Sequence, residues 1–312
     1  MNRTTFNLEG ANGSRVHVYK WESAHPDIPT RGIIQIAHGM TETALRYERF
    51  AAELIQQGYI VYANDHRGHG KTASRPEQLG HMEKGDFMGM VHDMGQLSQY
   101  VQERHPNVPL VLFGHSMGSF LSQMYITKYG HLLHGLILSG SNGPRGLDLS
   151  AGVRVSQVIR ALKGAAHRSE FINNLAFGGF NRSFKPSLTP FDWLSRDEQE
   201  VQKYIDDPMC GYVCTVGFYY EFFCFLKEVH HPSTLAKVPL KLPVLIVSGS
   251  QDPVGNFGKG LHKLEHLYKH LGVQDVSLIL YPGARHELLN ETNRDEVTRD
   301  CMEWLDRLLP QS

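Results

Sequence analysis

Residues 109–118 read PLVLFGHSMG, an apolar run that leads directly into the pattern G-x-S-x-G. The apolar residues predict a buried strand, and the glycines on either side of Ser116 predict a sharp turn into a helix. A serine held at such a turn projects its hydroxyl beyond the carboxyl end of the strand. The alternative is a glycine-rich strand-helix turn whose serine has no chemical role. The stretch therefore predicts an α/β fold with a nucleophile at Ser116.

A base and an orienting acid are expected further along the chain, in loops that follow other strands. The apolar run at 242–247 ends in SGSQDP, which places Asp252 in such a loop. A third run at 276–281 ends in PGARHE, which places His286 in another. Taken singly, Asp252 could equally be a turn former and His286 one of 18 histidines. Because parallel strands end at one edge of a sheet, the two residues and Ser116 together predict a catalytic triad.

A second backbone donor for an oxyanion is expected in the loop after an earlier strand. Residues 32–37, GIIQIA, have the composition of that strand, and HGM at 38–40 follows at once. The predicted oxyanion donors are the backbone N–H groups of Met40 and Met117, the latter at the N-terminus of the helix behind the serine. Their side chains either line the acyl site or belong to the core.

These motifs together resemble the α/β-hydrolases of the monoacylglycerol lipase and lysophospholipase group, which is also classed with serine aminopeptidase-type hydrolases. The matching segments are HGM (38–40), DHRGHG (65–70), GHSMG (114–118), SQD (250–252) and GARHE (283–287). The resemblance implies the α/β-hydrolase fold, a mostly parallel doubly wound sheet with a helical cap insertion. It also implies ester hydrolysis without a cofactor or a metal.

The order of predicted elements describes how the chain is organised. NG at 12–13 lies between two strand-like segments and predicts an antiparallel edge hairpin. Strands and helices then alternate, as in a doubly wound sheet. The predicted strands after the hairpin are 32–37, 59–64, 109–114, 134–139, 242–248 and 276–281. We expect a catalytic domain made of residues 1–144 and 238–312, interrupted by a cap, or lid, at 145–237.

The expected cap is dense in aromatic residues, since fourteen of the chain's 31 lie between Phe171 and Phe225. Residues 218–225, FYYEFFCF, are apolar on nearly all sides, which predicts burial or contact with an apolar cavity. Some of these rings pack within the cap, and others line a pocket for an acyl group. Phe222 and Phe223 are the candidate substrate-binding residues. Any contact with a membrane surface is expected to be transient and to involve the cap.

Three further segments are interpreted as structural. DHRGHG at 65–70 combines two histidines with an aspartate, as a metal site would, but the resemblance implies that this loop braces the sheet beside the active site. Glu42, Arg46 and Tyr47 form either a charged support beside this two-histidine segment or the solvated start of a helix. Ser195, three residues before a glutamate, matches the capping box of a helix.

Composition excludes several classes of protein. The chain has 31 basic and 32 acidic residues, a balance that does not favour nucleic-acid binding. Its four cysteines include no C-x-x-C pair and are expected to be reduced thiols. A zinc site made from them with His230 and His231 would match no standard spacing. The sequence lacks a signal peptide and a run long enough to span a bilayer, so we expect a soluble, cytoplasmic protein with no obligate protein partner.

The sequence thus predicts a serine carboxylic-ester hydrolase that acts through an acyl-enzyme on monoacylglycerol, lysophospholipid or a similar acyl ester. An acyltransferase or an aminopeptidase could use the same triad, because they differ only in the acceptor or the leaving group. An aminopeptidase would need acidic residues to hold a free amine, and the cap offers few. A binding protein without activity on the same fold is the remaining alternative.

Overall fold

The computed structural model describes residues 1–25 and 29–309. Within these ranges, eight strands pair into one sheet: β1 (Asn2–Glu9), β2 (Arg15–Glu22), β3 (Gly32–Ala37), β4 (Tyr59–Asn64), β5 (Leu110–His115), β6 (Gly135–Ser139), β7 (Val244–Gly249) and β8 (Val276–Tyr281). Their spatial order is β1-β2-β4-β3-β5-β6-β7-β8. β2 pairs antiparallel with β1 and with β4, and the other pairs are parallel. The predicted edge hairpin and parallel sheet are confirmed, with strand ends displaced by at most two residues.

The described residues also form ten α-helices: α1 (Glu48–Gln56), α2 (Asp86–Arg104), α3 (Met117–Tyr129), α4 (Leu147–Lys163), α5 (Glu170–Phe177), α6 (Glu198–Asp206), α7 (Val216–Val229), α8 (Pro232–Leu235), α9 (Lys259–Leu271) and α10 (Arg294–Leu308). Helices α4 to α8 follow one another between β6 and β7. They therefore lie in the segment predicted as a cap, residues 145–237, which we call the cap segment. None of the helices in the described part of the chain is both long and apolar enough to cross a bilayer.

The parallel strands are covered on both faces, which explains their continuous apolar sequences. Successive side chains of a strand point to opposite faces, so each strand contributes to two cores. In β5, Leu110 and Leu112 belong to a core that includes residues of α2 and α3. Val111 and Phe113 belong to the other core, with residues of α1 and α10. Phe218 of α7 lies in the first core, so the cap segment shares that core with the sheet.

The loop that contains DHRGHG ties the edge hairpin to the body of the protein. The guanidinium of Arg67 donates to Asp93 Oδ2 on α2 (2.7 Å) and to the carbonyl oxygen of Ala11 in the hairpin turn (2.5 Å). Asp93 Oδ1 in turn accepts from the backbone N–H of Ala11 (2.7 Å). This arrangement agrees with a bracing role for the loop.

Helix α6 does not begin as predicted. Its first turn is capped by Asp197, whose carboxylate accepts from the backbone N–H groups of Gln199 and Glu200. Ser195 Oγ instead donates to the carbonyl oxygen of Asn290 at 2.8 Å. The predicted capping box is therefore wrong, because a tertiary contact recruits the serine hydroxyl.

Candidate active site

Ser116 lies between β5 and α3 with φ 51° and ψ −118°, a backbone conformation that costs a non-glycine residue about 1–3 kcal/mol. The neighbouring glycines allow the close approach that this turn requires. A Cβ on Gly118 would lie 2.1 Å from the carbonyl oxygen of Ala37, and one on Gly114 would lie 2.3 Å from Ser122 Oγ. The turn therefore projects the Ser116 side chain past the end of the sheet, as predicted for a nucleophile elbow.

His286 and Asp252 form a buried hydrogen-bonded pair. His286 Nδ1 lies 3.0 Å from Asp252 Oδ2, and their side chains are 2% and 0% exposed. Ser248 Oγ donates to the same carboxylate oxygen at 3.0 Å. The backbone N–H of Val254 donates to Asp252 Oδ1 at 2.8 Å. With Nδ1 donating to Asp252, Nε2 of His286 is the nitrogen that can accept a proton.

The charges around His286 favour its protonated form. Burial lowers the pKa of His286, but the Asp252 carboxylate and, more weakly, Glu287 and Glu42 raise it, and the resulting pKa lies above the ordinary value. The neighbouring ring of His115 has its centroid 4.8 Å from that of His286. Burial, assisted by the charge of His286, lowers the pKa of His115 to about 4. Of the two rings, His286 is therefore the one that is protonated more readily.

The loop after β3 is held by a buried carboxylate. Glu42 Oε1 accepts from the backbone N–H of Gly39 (2.5 Å) and from the hydroxyl of Tyr47 (2.8 Å). Arg46 Nη1 donates to Glu42 Oε2 at 2.7 Å. These bonds fix the backbone immediately before Met40, whose N–H is a predicted oxyanion donor.

An ion pair joins this loop to residues 282–287, which carry His286 and which we call the histidine loop. Arg46 donates through both of its terminal nitrogens to Glu287, at 2.6 and 2.7 Å, and is only 12% exposed. Burial raises the pKa of Glu287, but Arg46 outweighs it and holds the pKa at about 2. These contacts make Glu42, Arg46 and Tyr47 a charged support rather than the solvated start of a helix, and they place that support beside the loop that carries His286. Glu287 had no role in the sequence-based hypothesis, although it directly follows the predicted base.

The ring of His38 and the backbone of His66 also hold the loop after β3. His38 Nδ1 donates to the carbonyl oxygen of Gly39 at 2.7 Å, and His38 Nε2 accepts from the backbone N–H of His66 at 2.9 Å. Burial lowers the pKa of His38 to about 4. Its ring is therefore neutral at neutral pH, which both of these hydrogen bonds require.

A cavity of about 420 Å³ lies between the cap segment and the carboxyl end of the sheet. Ser116, His286, Met40 and Met117 all line it, with Asp252 behind His286. The predicted substrate-binding residues line it as well. The apolar part of the wall is formed by Phe120, Leu149, Phe222, Phe223 and Leu226. The polar lining includes Thr41, Glu42, Tyr204 and Glu287. The structure thus brings every predicted site residue to one place.

The cap segment also contacts the predicted base, which the sequence did not suggest. The ring of Trp193 has its centroid 5.0 Å from that of His286, with 37° between the planes. The backbone N–H of Glu287 donates to the carbonyl oxygen of Leu194 at 2.7 Å. Arg285 Nη1 donates to the carbonyl oxygens of Asp192 and Ser195. Asp192 and Arg285 are 93 residues apart in the chain, so no local pattern signals the contact.

Comparison with known proteins gives consistent matches. Residues 28–293 match the family described as serine aminopeptidase, S33. The chain is 28% identical to a monoacylglycerol lipase of Mycolicibacterium smegmatis, over 97% of both chains. It is 29% identical to a monoglyceride lipase of Mus musculus, over 95% of this chain and 86% of that one. A thermostable carboxyl esterase from Bacillus coagulans, crystallised in complex with glycerol, superposes with a TM-score of 0.90 at 29% identity, and the match covers 99% of each chain.

Proposed function

Because the chain belongs to the serine aminopeptidase S33 family, and within it to the monoacylglycerol lipase group of α/β-hydrolases, we propose that Ser116, His286 and Asp252 form the catalytic triad of this ester hydrolase. The observation that carries the proposal is the meeting of three features in one cavity. These are the strained Ser116 turn, the buried His286–Asp252 hydrogen bond, and an apolar wall beside them.

The proposed reaction has two steps. Ser116 Oγ attacks the ester carbonyl while His286 Nε2 accepts its proton, and the N–H groups of Met40 and Met117 stabilise the oxyanion. His286 then returns the proton to the leaving alcohol as the ester C–O bond breaks, which leaves an acyl-enzyme. In the second step, water attacks the acyl carbon and gives its proton to His286. Collapse of this intermediate releases the acid and restores the Ser116 hydroxyl.

A monoacylglycerol or a similar acyl ester is the proposed substrate. The apolar wall suits an acyl chain, and the polar side chains that also line the cavity suit an alcohol with several hydroxyls. The names of the relatives and the glycerol complex of the Bacillus coagulans esterase support this class. We also propose that residues 145–237 act as the cap, because α7 supplies Phe222 and Phe223 to the apolar wall.

The carboxylates at the cavity favour an ester over an aminopeptidase substrate. Glu42 and Glu287 are the acidic residues among the described residues that line it. Both are already bound to Arg46, and Glu42 also accepts from Gly39 and Tyr47. All four of their carboxylate oxygens already accept a hydrogen bond, so the amino terminus of a peptide would have to displace one of these donors. This disfavours an aminopeptidase substrate.

The apolar wall is expected to set acyl-chain preference. Each methylene buried there contributes up to about 0.8 kcal/mol, so kcat/KM should rise about fourfold per carbon along a series of p-nitrophenyl esters until the cavity is filled. Phe222→Ala enlarges the cavity and should move the optimum to chains longer by about two carbons. Phe225→Ala is the matched control, because Phe225 lies on the same helix, packs against Phe87 and does not line the cavity.

Both variants should lower thermal stability, but only Phe222→Ala should change the chain-length profile. The preferred leaving group is identified by testing monoacylglycerol, lysophospholipid and aminoacyl substrates alongside the p-nitrophenyl esters. Equal profiles for the two variants, or faster turnover of aminoacyl substrates than of monoacylglycerol, would contradict the proposal.

We further propose that the cap segment contacts lipid surfaces transiently. Val158 and Leu162 are 58% and 79% exposed, and Phe171 and Leu175 are 63% and 54% exposed. Each pair is four residues apart on its helix, so each forms an exposed apolar patch. Residues 145–191 carry seven basic and two acidic side chains, which complements an anionic surface.

This contact can be measured by flotation with phosphatidylcholine vesicles that contain or lack phosphatidylglycerol. The protein should bind the anionic vesicles more strongly, and Leu162→Glu combined with Phe171→Glu should reduce binding at least about tenfold. Leu240→Glu is the control, because Leu240 is 46% exposed but lies outside the cap segment. Binding that is the same for the double variant and the control would refute the lipid contact.

A further inference from the structure

The contact between Trp193 and His286 places an aromatic face beside the predicted base. The two ring centroids are 5.0 Å apart, within the range of about 6 Å over which a cation interacts with an indole. Trp193 belongs to the cap segment, whereas the triad and the oxyanion donors come from the ends of the sheet. The cap segment therefore contributes a side chain to the surroundings of the reacting groups as well as to the apolar wall.

Trp193 is held firmly in this position. Its backbone N–H donates to Asn181 Oδ1 at 2.8 Å. Its indole packs against Phe180, with centroids 4.9 Å apart, and stacks on Phe177 at 6.4 Å with 7° between the planes. The backbone on both sides is bound to the histidine loop through Arg285 and Glu287. The indole is therefore pre-organised against His286 before any substrate binds.

We propose that Trp193 is a positioning residue for the reaction, whose indole face stabilises the positively charged His286 that forms in the transition state. This inference rests on the proposed function, because it requires His286 to be the base. As Ser116 Oγ bonds to the carbonyl carbon, its proton moves to His286 Nε2 and the imidazole becomes a cation. A desolvated cation gains more from an aromatic face than an exposed one does. The effect is larger in the transition state than in the ground state, so it increases kcat.

Several charged groups act on His286 beside the indole. The carboxylate of Asp252 is bonded to Nδ1, Glu287 follows in the chain, and Glu42 acts from the loop after β3. His115 packs against the ring from the end of β5. All four remain in place when only residue 193 is changed. A difference between variants at 193 can therefore be assigned to the side chain there.

The test compares Trp193→Leu with Trp193→Phe. Both side chains keep an apolar cover over His286, but only phenylalanine keeps an aromatic face. With p-nitrophenyl acetate, whose acyl group is too short to reach along the apolar wall, Trp193→Leu should lower kcat about 5- to 30-fold with little change in KM. Trp193→Phe should lower kcat by about a third of that factor or less, because a phenyl ring attracts a cation more weakly than an indole does.

The pH dependence of kcat/KM distinguishes this role of Trp193 from a purely structural one. For the unmodified protein, kcat/KM should rise with pH, because His286 must be neutral to act as a base, and the apparent pKa should lie above the ordinary value for histidine. Trp193→Leu should lower this apparent pKa by about 0.5 to 1 unit, and Trp193→Phe by less. Loss of water exclusion would raise the apparent pKa instead, because it would relieve the burial of the ring.

Equal kcat values and equal pH profiles for the leucine and phenylalanine variants would overturn the proposal, as would an apparent pKa that rises in Trp193→Leu. Thermal unfolding of each variant shows whether it is folded. If Trp193→Leu does not fold, Trp193→Phe is compared with the unmodified protein. Fluorophosphonate labelling separates this result from a failure of the proposed function. An unmodified protein that is not labelled at Ser116 refutes the triad itself.

Discussion

Replacement of Ser116 by alanine is expected to lower kcat for ester hydrolysis by at least about a thousandfold, because binding and the oxyanion donors would account for all the remaining rate. The variant should fold normally, since the Ser116 side chain is only partly buried and lies at the cavity. Single-turnover kinetics with p-nitrophenyl esters would measure the effect, and thermal unfolding would check the fold.

Covalent labelling gives an independent test of the same residue. A fluorophosphonate should label the unmodified protein at Ser116 and should fail to label Ser116→Ala. Ser122→Ala is the matched control, because Ser122 lies on the next turn of α3 and donates to the carbonyl oxygen of Gly118. It should remain labelled and active. Labelling at another residue, or near-normal turnover by Ser116→Ala, would refute the triad.

Asp252→Asn is expected to lower kcat by about ten-thousandfold, because it favours the wrong tautomer of His286. The surrounding donors determine how the amide would lie. The backbone N–H of Val254 donates to Oδ1, so the amide oxygen should occupy that position and the NH₂ group should take the place of Oδ2. That NH₂ would donate to His286 Nδ1 and leave the proton on Nε2. His286 could then no longer accept the proton of Ser116.

Asp275→Asn is the control for this change, since Asp275 is exposed and lies just before β8, outside the site. It should leave kcat and the pH profile unchanged. If Asp252→Asn retained more than about a tenth of the activity, the orienting acid would have to be another residue at this edge of the sheet.

Those parts of the molecule that depend on local patterns could be predicted from the sequence. Apolar runs located β3 to β8 within two residues, and the glycines at 114 and 118 predicted the turn at Ser116. Asp252 and His286 lie in the loops after β7 and β8, where the apolar runs before them predicted, and parallel strands end at one edge. Their proximity then follows from the topology of the sheet.

The parts that depend on contacts between distant segments could not be predicted. Arg46 and Glu287 are 241 residues apart, and nothing in either sequence neighbourhood specifies the partner. The local spacing of Ser195 and Glu198 predicted a capping box, but the Ser195 hydroxyl donates to the carbonyl oxygen of Asn290 instead. The roles of Trp193 and Glu287 were missed for the same reason. The triad assignment itself stays a prediction until the Ser116 and Asp252 variants are measured.

The attachment of the cap segment to the histidine loop has a consequence for how such enzymes diversify. Buried Glu291 accepts from the backbone N–H groups of Arg285 and Arg196 and from the guanidinium of Arg196. A recombination event that replaced residues 145–237 as one module would separate these partners and misplace His286. An exchange limited to the part before Asp192 would keep them together. We therefore expect a chimaera that exchanges α4 and α5 to fold and react normally more often than one that also exchanges residues 192–197.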